Sequence, residues 1–348
     1  MSHRLLTAWL GRPRLLRMAK DFLLGCHGRG TARVPGQPIS VDERFRMVKE
    51  SGVFDFVDRL PQPGEEKEYL NASEKYGLPL KTGLWTYHKG KDEAKLIENL
   101  RLAKSAGGEI HNVMLYTHHA DGHPISDQEV VEFYLYAYGE AQKVGIDITF
   151  EIHIEMWSED FRRVLPVARE VRKRGVPFNA QLDHSHAVLK IESAEEQDIS
   201  GIRADVEAGR LVLDPFEARS IYDEWLEANI LLWASMRPVA PNGPKNLWAK
   251  HPDGRLGRAC QYPFVRPRPG EWHSPWYAYK LEPSKEVTRK VLRDIRDNPG
   301  SRIRFITTEI IDLPDYGDGA KYSLFEQNAA MARWIRDEWR RIKAEKRG

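Results

Sequence analysis

The chain has 348 residues, 41% of them hydrophobic and 30% charged, with a formal net charge of +2. So even a balance argues against a polyanion-binding surface, because nucleic-acid binders carry a clear basic excess. Its two cysteines, Cys26 and Cys260, make neither a disulfide framework nor a Cys-rich zinc site, and no apolar run reaches membrane-span length.

Residues 1–20, MSHRLLTAWLGRPRLLRMAK, are basic and amphipathic. Arg12 and Arg14 interrupt the apolar stretch that a secretory signal needs, so the segment reads as a surface helix or arm. A transit-type peptide or partner-docking helix is the lesser reading. With so few cysteines, the expected compartment is reducing, and we assign the cytoplasm.

From residue 21 onward, short apolar runs alternate with helical stretches. Strands are expected at 22–28, 54–60, 78–85, 111–119, 147–155, 177–184, 230–237 and 302–310. Helices are expected between most of them, as at 92–107, 128–145 and 158–175. Gly107, Gly145 and Gly175 stand at the left-handed stop just before the next strand. Eight βα repeats predict an α/β fold, a (β/α)₈ TIM barrel forming one domain over 21–348. Residues 238–283 break the rhythm, being rich in Pro, Gly, Trp and Arg with no periodicity. A loop that long after strand seven is expected to act as a lid on the C-terminal face, where barrels keep their active sites.

Three acidic residues close apolar runs: Glu151 in DITFEIHIE, Asp183 in FNAQLDHSH and Glu309 in IRFITTEII. A carboxylate at the end of a buried strand is costly to desolvate unless it is compensated. Strand alternation puts Glu151, His153 and Glu155 on one face, Asp183 with Gln181 and Asn179, and Glu309 with Thr307. If those faces point inward, the three acids meet at the barrel mouth, where oxygen ligands with a few imidazoles suit a divalent ion. Taken singly, each acid is as well explained by a salt bridge or a helix cap. The ordered set is not. His153 and His186 divide evenly between active-site roles and outer hydrogen bonding.

Glu151-Ile-His153, Asp183-His-Ser-His186 and Glu309, spaced over eight βα units, resemble the xylose isomerase-like TIM barrel superfamily of sugar isomerases and epimerases. The resemblance covers roughly residues 20–340 and implies one divalent ion held by Glu151, Asp183 and Glu309. Mn²⁺ is preferred, with Mg²⁺, Co²⁺ or Zn²⁺ as alternatives. It also implies an isomerase, epimerase or lyase that moves a proton on a carbon next to a carbonyl of a sugar, keto-sugar or cyclitol. Glu151 and Glu309 are the expected proton-transfer pair, and His153 or His186 the acid or base if the reaction runs to elimination.

The chain departs from that pattern on strand seven, where Ser235 stands at the position of the usual histidine ligand. His186 is ranked first as the replacement ligand and His273 of the long loop second; a degraded site ranks third. Arg237 is expected to orient a substrate oxygen. His118, His119, Trp85 and His273 are the other substrate-binding candidates, with a solvated loop weighing equally for the His118–His119 pair. Trp248, Trp272, Trp276 and Tyr277 of the loop suit sugar stacking or an oligomer interface. The expected partners are a sugar-like small molecule and further copies of the chain, with no nucleic acid and no membrane. The competing classes are a C-glycoside deglycosidase-like barrel that needs a second subunit and an endonuclease IV-like repair enzyme. The latter lacks the extra histidines that its three-metal cluster requires.

Overall fold

A computed structural model describes residues 21–31, 39–59, 61, 64–258 and 261–345. The basic arm expected at 1–20 lies outside them. Eight parallel strands close into one barrel in sequence order. They are β1 (Leu23–His27), β2 (Phe56–Asp58), β3 (Leu80–Tyr87), β4 (Ile110–Leu115), β5 (Asp147–Ile152), β6 (Ala180–Asp183), β7 (Leu231–Met236) and β8 (Phe305–Thr308). Every one falls within or against an expected apolar run. This is the (β/α)₈ fold.

The longer connecting helices each bury one stripe against the strands. Asp127–Val144 starts on a capping box between Ser126 and Glu129 and ends at Gly145, whose φ of 75° only glycine adopts without strain. Glu282–Asp297 buries Val287, Val291 and Ile295 at helical spacing, each such burial stabilising by about 1.5–3 kcal/mol. The helix expected at 158–175 is shorter. Two 3₁₀ turns, Trp157–Glu159 and Phe161–Arg163, precede Val164–Lys173, because extended Asp160 breaks the run. Among the described residues no helix is long and apolar enough to cross a membrane.

The barrel interior is layered. Its floor is a cluster of Phe56, Ile110, Leu232, Trp233 and Phe305. Gly25 of β1 has no room for a side chain, since a Cβ there would come 2.5 Å from Phe56 Cε2. Above the floor lies a polar tier. Trp233 Nε1 donates to Thr307 Oγ1 (3.0 Å), Ser235 and Thr307 share a hydroxyl bond (2.9 Å), and Gln181 donates to Ser235 Oγ (2.7 Å).

Among its described residues the long segment after β7 holds no strand, and its first regular turn is Ala278–Leu281, leading into Glu282–Asp297. It is tied across the C-terminal ends of the strands. Gln261 exchanges two 2.9 Å bonds with the backbone of Ile311, after β8. Arg258 pairs with Glu159, after β5, at 2.5 Å and with Glu196, after β6, at 2.7 Å. Its aromatics pack largely on one another. Trp272 and Trp276 rest on a small core of Ala240, Tyr262 and Leu281, while Tyr277 is exposed.

Candidate active site

Strand alternation and register bring the acids together. Asp183 of β6 pairs in register with Ser235 of β7, and Ser235 with Thr307 of β8, so the residues two further on, Arg237 and Glu309, rise from the same tier. Glu151 is one strand away, opposite Gln181. All three acids are buried, Asp183 completely.

Arg237 stands among them, only 1% exposed. Its Nη2 lies 2.6 Å from Glu309 Oε1 and 2.9 Å from Asp183 Oδ2, and its Cζ sits 3.7 Å above the Tyr316 ring. Its Nη2 is committed to two carboxylates and its face to an aromatic ring, while Nε and Nη1 are buried without a hydrogen-bond partner. Ser235, at the usual histidine position, is engaged by Gln181 and Thr307.

His186 Nε2 lies 3.1 Å from Asp183 Oδ2, and the His153 and His186 ring centroids are 3.7 Å apart. Glu151, His153 and His186 each bring one ligand-capable atom to within 4.8 Å of the others. Both His186 ring nitrogens and Glu309 Oε2 are buried without a hydrogen bond. Tyr316, in the loop after β8, reaches His153 Nε2 at 3.3 Å. Asn112 of β4 donates to Glu151 Oε2 at 2.5 Å, and Thr149 donates to the other end of the same amide at 2.9 Å.

The electrostatics follow from burial. Burial raises Glu151 well above the usual carboxylate range, helped by Glu309 and Asp183. It lifts Glu309 to about 7 against the pull of Arg237. Burial also opposes ionisation of Asp183, but Arg237 and His186 outweigh it and hold that acid well below its usual range. Both His153 and His186 are pushed down by burial and stay neutral at pH 7.

The remaining candidates are spread around the mouth. Trp85 lines a cavity of about 270 Å³ on the β1–β3 side, together with His27, Asp58 and Arg59 among others. His27 links the cavity to the acids, its Nε2 being 4.0 Å from Glu309 Oε1. His118 and His119 do not line it. His118 bonds Thr117 at 2.9 Å, and His119 joins Asp121 and His123 in a separate, partly exposed group. His273 packs against Trp272 at 4.2 Å and Trp248 at 5.3 Å in the long segment after β7. Sequence reasoning did not single out Asn112, Tyr316, Asp58 or Arg59. For Asn112 the signal existed: an amide in a buried run, HNVML, needs a polar partner.

No protein-family model matches the sequence, and no curated protein is similar to it. Solved structures share the fold at low identity. A xylose isomerase-like TIM barrel protein from Mycobacterium smegmatis, in complex with magnesium, is 12% identical with a TM-score of 0.56, covering 93% of this chain and 98% of that one. A D-allulose 3-epimerase from Methylomonas sp. is 13% identical, TM-score 0.55, over 92% and 98%. A 3-keto-D-glucoside 4-epimerase from E. coli is 13% identical, TM-score 0.51, over 91% and 100%. The chain therefore has the fold of the xylose isomerase-like barrels.

Proposed function

We propose that the chain is a divalent-metal-dependent isomerase or epimerase, or a lyase of the same proton-abstracting kind. Its substrate is a sugar, keto-sugar or cyclitol, deprotonated next to a carbonyl. The observation that carries this reading is the burial of Glu151, Asp183 and Glu309 within electrostatic reach of one another, with two neutral histidines beside them.

Charge supports an ion there. Fully ionised, three carboxylates set against one guanidinium would leave two negative charges in a buried site, and without an ion burial drives Glu151 and Glu309 toward the protonated form instead. A divalent cation balances those charges, and His186 Nδ1 and Glu309 Oε2, both buried without a hydrogen bond, are donors in want of one. Glu151, Asp183 and His186 are the proposed ligands. His153 belongs to the same donor group, and Glu309, also expected as a ligand, is half committed to Arg237. Mn²⁺ is our first choice, ahead of Mg²⁺, Co²⁺ and Zn²⁺. When bound, such an ion polarises a substrate carbonyl and its neighbouring hydroxyl.

The protein's own groups supply the proton transfer. Glu309, with its pKa brought to about 7 by burial, is matched to take up and return a proton at neutral pH. Glu151, on the other side of Asp183 in strand order, is the second carboxylate of the pair. Tyr316 and the strap formed by Gln261 and Arg258 close the mouth against water. The epimerase activities of the D-allulose and 3-keto-glucoside enzymes that share this fold agree with the reading. We place the enzyme in the cytoplasm.

The test is deuterium wash-in. Ketohexoses, 3-keto-glucosides and keto-inositols are incubated in D₂O with Mn²⁺, and exchange next to the carbonyl is followed by NMR. Exchange is expected with at least one class, lost on EDTA treatment and reduced at least 100-fold in Glu309→Gln. No exchange with any class, together with no metal retained or rebound, overturns the proposal.

A further inference from the structure

The cavity beside the acids contains a cation with no carboxylate partner among the described residues. Arg59 follows β2 and lines the cavity wall, and its Nε is buried without a hydrogen-bond partner. No described carboxylate lies in ion-pair range of it, and the undescribed segments contain no Asp or Glu. The neighbouring arginines are all engaged. Arg29 pairs with Asp312 at 3.1 Å, Arg237 with Glu309 at 2.6 Å, and Arg44 donates to the Gly28 carbonyl at 3.2 Å. A partly buried guanidinium left alone is unfavourable unless an anion completes it.

Arg59 is also held in place. Its stem crosses Gly28, where an added Cβ would meet Arg59 Cδ at 2.5 Å and Cβ at 2.7 Å. The cavity it lines runs up to His27, 4.0 Å from Glu309. A ligand seated on Arg59 therefore extends toward the acids.

We propose that this cavity is the seat for a carboxylate on the substrate, read by the fork of Arg59. The inference rests on the proposed function in one respect, that the reacting carbons lie at Glu151 and Glu309. A carboxylate fits better than a phosphate because Arg59 is the one cavity-lining arginine without a described carboxylate partner: Asp312 already neutralises Arg29. Asp58, in the same lining, adds a donor. Asp58 accepts from Thr82 at 2.6 Å through Oδ1, its Oδ2 has no partner, and burial pushes it up to about 8, so Oδ2 carries a proton at neutral pH. The substrate class is then a sugar acid or keto-sugar acid, and Trp85 supplies an apolar wall for its carbon chain.

Binding is the test, read without turnover on the full chain treated with EDTA. Calorimetric titration compares D-gluconate, its neutral counterpart D-glucitol, and inorganic phosphate. Gluconate is expected to bind at least tenfold more tightly than glucitol. Arg59→Gln should erase that preference while leaving glucitol binding unchanged, and Gly28→Ala, which displaces the same side chain, should weaken gluconate similarly. If Arg59→Gln does not fold, Arg59→Lys keeps the charge without the fork and should lose tenfold for gluconate. A preference that is absent, or that survives these changes, overturns the subsite. Phosphate binding more tightly than gluconate at the same residue overturns the carboxylate assignment. The two readings fail separately: gluconate binding through Arg59 without any sugar proton exchange sinks the proposed function alone, and exchange without the preference sinks only the subsite.

Discussion

The Arg237 guanidinium meets the Glu309 carboxylate at 2.6 Å, two residues beyond Ser235 near the end of β7. The same nitrogen reaches Asp183 at 2.9 Å, so one fixed cation bridges two strands that flank its own. Removing one partner of such a buried cluster leaves uncompensated charge, which costs about 3–5 kcal/mol. Arg237→Met should therefore lower stability by about that amount in urea melts of the metal-free protein. Adding Mn²⁺ should recover part of the loss, because the ion neutralises the same carboxylates. A melt that is unchanged in Arg237→Met contradicts this account.

The long segment after β7 makes an acid-sensitive contact. Glu159 is raised by burial, but Arg258 and Lys190 outweigh that and hold it at about 2. A folded-state pKa below the unfolded one gives stability that is complete above the usual carboxylate range. That stability is lost as pH falls from about 4.5 through about 2, and it amounts to roughly 3 kcal/mol. Limited proteolysis of residues 238–277 should accelerate across that window, and Glu159→Gln should flatten the response while making the segment labile at pH 7.

All eight strands were legible because a parallel strand covered on both faces reads as an apolar run, and the helices before β4, β5 and β6 stop on Gly107, Gly145 and Gly175. Ends were harder to place. The run at 111–119 leaves the sheet after Leu115, because Tyr116 and His118 turn to isolated bridges with Met156 and Pro124. Alternation alone placed Glu151, Asp183 and Glu309 at one mouth. It did not yield Tyr316 or Arg59, which sit outside the strands and take their positions from long-range packing, Arg59 by crossing Gly28. Arg237 was seen, but not its pairing: sequence shows a cation near the mouth without showing how close the carboxylates stand.

The barrel floor sets a limit on β1. With a Cβ at residue 25 coming 2.5 Å from the Phe56 ring, and that ring packed edge-on against Phe305 at 5.4 Å, nothing nearby yields cheaply. Gly25→Ala should destabilise by about 1–3 kcal/mol, the usual cost of overpacking a filled core. Adding Phe56→Leu should return part of that loss, since it removes the atoms in conflict. Denaturant midpoints of the two single variants and the double variant test the coupling.

Asn112 is the most informative place to probe the proposed ion without touching a ligand. Thr149 donates to its Oδ1 at 2.9 Å, which fixes the amide so that Nδ2 faces Glu151 Oε2 at 2.5 Å. A donor held there favours the ionised carboxylate and aims its second oxygen, which is the state a cation needs. Losing an outer hydrogen bond of this kind typically weakens metal binding by about 10–100-fold. Asn112→Ala should show that loss in a Co²⁺ titration followed by visible absorbance, with a thermal melt of the metal-free protein changed far less than by Glu151→Gln. Thr149→Val, which frees the amide to turn, should produce a smaller loss in the same direction. Unaltered Co²⁺ affinity in both variants would remove Glu151 from the ligand set, because no ligand oxygen can be indifferent to the bond that orients it.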